Sequence, residues 1–220
     1  MKSVIDHIVV VAPNLAVGAA FVSKVLGVEP QQGGAHPRMA THNLLLRLGE
    51  SSYLEVIAPD PSAARPLHPR WFALDHLTPD SPPLLAAWVV RTDDIRSASL
   101  ACGPIAGNIE TMSRGHLSWR ITVPQDGSLP LGGAAPALIE WQVTAHPAGA
   151  LEDVGCTLTL LEVFHPEPLR VQSFLKAVNL DAPVSLRPLP AESKPSLVAH
   201  VQTPRGHCKL SSPWHSRSWD

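Results

Sequence analysis

Residues 3–12 (SVIDHIVVVA) form an apolar run rich in Val and Ile, side chains that suit a pleated, buried surface, and the run predicts a strand. Pro13-Asn14 stops it. Asn14 is placed to cap a helix over 15–26 (LAVGAAFVSKVL), where Leu15, Ala19, Val22 and Leu26 recur at helical spacing, and Gly27 closes that helix. After a Gly-rich stretch, residues 41–48 (THNLLLRL) and 52–58 (SYLEVIA) read as the strands of a hairpin joined by a tight turn at Gly49–Ser52. The order is strand, helix, a short irregular or strand segment, strand, strand.

That order recurs twice. Residues 85–91 predict a strand, Asp93 or Asp94 caps a short helix through about 101, and Gly103-Pro104 ends it. Strands at 107–112, 116–123 and 137–143 follow. A third copy runs from a strand at 156–164 through a helix at 167–178 to strands near 184–188, 196–202 and 207–211. Pro13 and Pro166, Phe21 and Phe174, Val25 and Val178, Pro30 and Pro183, and Leu44 and Leu197 all stand 153 positions apart. One offset holding without a gap argues for duplication. The middle copy aligns with different offsets for its first strand and its last.

Composition narrows the class. With 220 residues, 45% hydrophobic and 16% charged, the chain can bury a core and is not disordered. A formal charge of −2, with Arg and Lys scattered singly, gives no footprint for nucleic acid or an anionic membrane. No window approaches the roughly 18 apolar residues of a membrane span, and Asp6 and His7 interrupt the one N-terminal run that could pass for a signal peptide. Cys102, Cys156 and Cys208 are few, odd in number and far apart, which favours a reducing compartment; a cytoplasmic location is expected. The 23 prolines cluster between the predicted elements and make long helices improbable.

A repeated βαβββ module is the building block of the vicinal-oxygen-chelate fold, and the chain resembles the glyoxalase-like branch of that superfamily. The resemblance rests on DHIVVVAPNL, on THNLLLRLG followed by SYLEVIAPDP, on HLSWRITVP followed by LIEWQVTAHP, and on HPEPLRVQSFLKAVNL. It implies an α+β chain whose paired modules curl into an open, cupped mixed-sheet barrel around a cavity. The first module spans 1–60 and the second 84–144, a third βαβββ-like unit follows at 155–212, and 213–220 is a tail. One compact glyoxalase-like domain with a C-terminal extension is expected. Whether a homodimer completes the barrel stays open. Relatives of this kind are glyoxalases, epimerases, ring-cleaving dioxygenases, thiol transferases or metal-free binding proteins, so fold alone assigns no reaction.

The resemblance implies a metal-ligating histidine on the first strand, at His7, and a glutamate on the last strand of the module, at Glu55. Both stand among apolar neighbours, where a buried polar or charged group needs a partner. Glu140, in LIEWQ, stands where Glu55 does in YLEVI and is the expected third ligand. The usual fourth position offers only Ala87 and Trp88, and His116 is the one candidate to replace it. One His and two Glu suit Zn, Mn, Ni or Fe. Such an ion would act as a Lewis acid on a small oxygenated metabolite, with Glu55 or Glu140 moving the proton. His42, Arg47 and Arg120 are candidate pocket residues, the arginines as clamps for an anionic group, and Trp119 and Trp141 are candidate cavity walls.

A metal-assisted isomerase or lyase is therefore the first functional expectation. A metal-free small-molecule binding protein is the alternative, and a ring-cleaving dioxygenase, which needs a second histidine, comes last. The chain carries no G-x-S-x-G, H-E-x-x-H, G-x-x-x-x-G-K or post-strand G-x-G-x-x-G motif.

Overall fold

The N-terminal apolar run forms strand β1 (Ser3–Val11), buried at all but one position, in the computed structural model, which describes residues 2–211. Helix α1 (Leu15–Leu26) starts where Asn14 accepts the Val17 N–H at 2.9 Å. It ends at Gly27, whose φ of 74° is a left-handed conformation that favours glycine. The Gly-rich stretch is an edge strand, β2 (Gln31–His36), followed by β3 (Thr41–Arg47) and β4 (Tyr53–Pro59). Gly33 is required there because a Cβ would stand 2.1 Å from Oδ1 of Asn43. The second module repeats the series as β5 (Leu84–Thr92), α2 (Ile95–Cys102), β6 (Asn108–Arg114), β7 (Leu117–Val123) and β8 (Ala137–Trp141).

These eight strands make one curled sheet in the order β2-β3-β4-β1-β5-β8-β7-β6. Each module's first strand pairs in parallel with its last, and β1 and β5 join the halves antiparallel. Strand periodicity sorts the side chains to two faces. Val9, Val11, Ile57, Ala87, Val89, Ile121 and Ile139 share the cluster on the face that forms the cavity. Ile8, Val10, Leu54, Val56, Trp88, Val90 and Leu138 face the helices.

The C-terminal unit contains β9 (Thr157–His165), α4 (Pro168–Ala177), β10 (Val184–Pro188), β11 (Ser196–Thr203) and β12 (Gly206–Ser211), after a short helix α3 (Pro147–Ala150). The offset of 153 brings each first-module element to within two residues of the start of its counterpart here. The pairing differs. These strands form a separate sheet, β10-β9-β11-β12, in which the first strand pairs with the one that follows the helix. Leu161, Val163, Phe174, Leu197 and Val201 share one core with Trp88 and Val90, so the unit covers the back of the first sheet. The expected tail at 213–220 lies outside the described residues. Among those residues, no helix is long and apolar enough to cross a membrane.

Candidate active site

The site begins with an irregularity in β1. Ile5 pairs with Val90 and His7 with Val89, which leaves Asp6 as an extra residue in the ladder. Such a bulge re-aims side chains, and here two successive residues meet: Nδ1 of His7 lies 2.7 Å from Oδ1 of Asp6. Asp6 is fully buried. Its other oxygen accepts from Nε1 of Trp141 and from Nε2 of His146, both at 2.9 Å, with the Arg91 guanidinium 3.9 Å away. Burial opposes the charge on Asp6, but the hydrogen bonds from His146 and His7 outweigh it and hold the carboxyl far below the usual carboxylate range.

An ionised carboxylate can only accept, so Nδ1 of His7 carries a proton, and in the neutral ring the lone pair is on Nε2. That nitrogen faces Oε2 of buried Glu55 at 3.6 Å. Tyr53 stacks on the ring, with centroids 4.6 Å apart, and burial, followed by the charges of Asp6 and Glu55, keeps its phenol neutral. Glu55 is held from behind, where Nδ2 of Asn43 donates to Oε1 at 2.5 Å. Oδ1 of Asn43 in turn accepts from the Gly34 N–H and from the half-buried Arg114 guanidinium, at 2.8 and 3.2 Å. Burial pushes the nearby His36 down to about 4, so its ring is neutral at physiological pH.

The space between these groups is small, about 20 Å³, room for a single water. Trp71, Phe72, Trp119 and Trp141 wall it. Past His36 and Trp119 lies a cleft of about 370 Å³ bordered by Arg38, Thr111 and Ser113.

Of the residues expected from the sequence, His7, Glu55, Trp119 and Trp141 meet at this cavity. Glu140 does not. On β8 the cavity-facing residues are Ile139 and Trp141, so Glu140 and Leu138 point to the helix side. Aligning YLEVI with LIEWQ is one residue out of phase, and in a strand a one-residue slip reverses the face. Glu140 instead caps α2, accepting from the Ile95 N–H at 2.8 Å, and pairs with Arg120 across the strands. Arg120 therefore lies away from the cavity too. His116 is exposed in the β6–β7 turn. His42 takes the face opposite Asn43, and Arg47 donates to the Gly49 carbonyl at the hairpin end.

The expected three-donor metal set is therefore not assembled. Among the described residues, no group of three or more His, Cys, Asp or Glu side chains is placed to hold an ion. Of the expected donors, His7 and Glu55 remain at the cavity, with His36 beside them, because the second module presents Ala87, Val89, Ala137, Ile139 and Trp141 there. A Zn, Mn, Ni or Fe centre of the expected kind does not fit this donor set. Replacing Glu140 by Gln should cost about 1–2 kcal/mol in urea unfolding, through the weakened helix cap and ion pair, and leave cavity chemistry unchanged.

Sequence reasoning missed Asp6, His36, Asn43, Tyr53, Trp71, Phe72, Arg114 and His146. Asp6 carried a signal, since two polar residues interrupt a run that must be buried. Strict alternation would have put it opposite His7.

Residues 5–178 match the family model of the glyoxalase-like domain, four-fifths of the chain. The chain belongs to that family. The glyoxalase-like protein is thus a member of the vicinal-oxygen-chelate superfamily, and the match runs through α4 of the C-terminal unit. No curated protein matches it in sequence. Among solved structures it is similar to a hypothetical protein from Staphylococcus aureus, with 13% identity, a TM-score of 0.57, and 96% of this chain and 85% of that one covered. At that identity the likeness concerns the fold. Methylmalonyl-CoA epimerases from Streptomyces coelicolor (14% identity, 64% and 95% covered) and Mycobacterium tuberculosis (17%, 62% and 85%) align with TM-scores of 0.41. That likeness carries no argument about the reaction.

Proposed function

We propose that this glyoxalase-like protein is an isomerase or lyase that moves a proton on a small oxygenated anion, with His7 as the base. The observation that carries this reading is the buried Asp6–His7–Glu55 line, which ends at a cavity beside Arg114. Burying two carboxylates is costly without a dense set of partners, and such arrangements concentrate at functional sites. Asp6 fixes the tautomer, so Nε2 of His7 is free to accept a proton from a carbon next to a carbonyl. The proton arrives between two carboxylates, Asp6 on one ring nitrogen and Glu55 facing the other. Arg114 supplies positive charge for the developing oxyanion or for a substrate carboxylate. Because the inner space is so small, only the reacting end of the substrate enters, and the remainder occupies the outer cleft.

A second reading, a metal-free binding protein, is supported by the four aromatic walls. Solvent exchange separates the two. A panel of small carboxylates bearing a C–H next to a carbonyl is incubated in D2O and followed by proton NMR. Wild-type protein should exchange that hydrogen in at least one of them, and His7→Gln should slow the exchange by about 10²–10⁴-fold. Saturable binding without exchange would favour the sequestration reading. Undiminished exchange in His7→Gln would remove His7 from the chemistry.

A further inference from the structure

The C-terminal sheet carries a second group of titratable side chains that the cavity does not use. On β11, Ala199 and Val201 point into the core, which puts His200 on the other face. On β12, Leu210 is buried while His207 and Lys209 are exposed. The antiparallel register makes His200 and His207 diagonal neighbours, with Nδ1 of His200 3.1 Å from Nε2 of His207. Behind them, Nε2 of His200 lies 2.8 Å from Oε2 of Glu162, whose other oxygen accepts from Nε of Arg187 at 2.9 Å. With Arg187 donating to one oxygen, the Glu162 carboxylate accepts at the other, and His200 donates to it from Nε2. Nδ1 of His200 is left with a lone pair directed at its neighbour.

We infer that His200 and His207 form a two-imidazole chelate for a nitrogen-preferring divalent cation such as Zn²⁺, Ni²⁺ or Cu²⁺, with Glu162 orienting His200 from behind. Two nitrogens 3.1 Å apart subtend about 100° at an ion bonded at about 2.0–2.1 Å, between the octahedral and tetrahedral angles. The ring centroids are 5.1 Å apart and the planes are tilted by 44°, and a rotation of the exposed His207 ring would bring both lone pairs to one point beside the line that joins the nitrogens. In the metal-free state one N–H bridges the nitrogens. When an ion enters, the proton of neutral His207 shifts to its Nδ1, and no net proton is released. A carboxylate that accepts from the far nitrogen of a ligating histidine is the usual arrangement behind a metal-bound imidazole.

With two protein ligands, water completes the coordination, so the ion exchanges readily. Lys209 stands directly across from His200, and Arg187 offsets the charge of Glu162. The site is therefore a nitrogen clip that discriminates against Mg²⁺ and Ca²⁺, which prefer oxygen ligands. It ties β11 to β12 and should raise the stability of the C-terminal hairpin when filled.

The test is isothermal titration of untagged, chelator-treated full-length protein with Zn²⁺ and Ni²⁺ at neutral pH, with Mg²⁺ as the control. About one ion per chain should bind the wild type. His207→Ala, an exposed position, should abolish that binding, and Glu162→Gln should weaken it by about 10–100-fold. His7→Gln should leave it unchanged. Imidazole ¹⁵N spectra of the wild type give a readout that needs no variant, since Zn²⁺ should shift the His200 and His207 resonances ahead of the other histidines. Unaltered binding by His207→Ala, loss of binding in His7→Gln, or no binding by the wild type would each overturn the assignment.

Discussion

Replacing Asp6 by Ala is expected to destabilise the protein by about 3–5 kcal/mol, because it leaves buried donors without their acceptor. Trp141, His146 and His7 all donate to this one fully buried carboxylate. Asp6→Asn keeps the shape but trades one acceptor oxygen for a donor facing other donors, so it should recover only part of the loss. The effect has a defined pH dependence. The folded carboxyl titrates far below its unfolded value of about 3.9, so its contribution is complete above that value and disappears as the pH falls below it. Urea unfolding of the wild type and Asp6→Asn should thus differ at neutral pH and converge as acid is added below about pH 4. A gap that stays constant into strong acid would mean that shape rather than charge sets the difference.

Trp88→Ala should cost about 3–5 kcal/mol, the range for removing a large aromatic ring from a core. Trp88 is completely buried in β5, and its indole N–H donates to the Ala134 carbonyl at 3.2 Å. It belongs to the cluster that the eight-stranded sheet shares with the C-terminal unit. The lost volume therefore weakens the junction of both sheets, and the variant should unfold in one transition at lower denaturant concentration. Guanidinium titrations followed by far-UV circular dichroism and by fluorescence of the remaining tryptophans should coincide. Separate transitions would show that residues 155–211 form an independent domain.

The boundaries of the elements were legible because their signals are local. Asn14 and Gly27 bracket α1 where capping chemistry places them, and the offset of 153 lands the third set of elements on the first. Two of the four aromatic walls were legible too, since Trp119 and Trp141 are large apolar residues on short strands, whereas Trp71 and Phe72 come from a loop that carried no signal. The charged centre was legible in part. His7 and Glu55 stood out as polar residues in apolar strands, and the structure puts them 3.6 Å apart. Glu140 looked equivalent, but phase in a strand depends on the loop before it. The segment between β7 and β8 fixes that phase through turns at residues 124–136, whose effect on register cannot be counted along the chain.

By itself, then, the sequence determined the α+β class, the strand–helix order and its repetition, since periodicity, caps and turn residues act over a few positions. Tertiary structure alone decided that Asp6 turns beside His7 through a bulge, that His146 and Arg114 reach Asp6 and Asn43 from distant parts of the chain, and that the third set of strands builds its own sheet. Each of these depends on which strand lies next to which and in what register. That choice is made by contacts between residues far apart in the chain, and no local pattern encodes it.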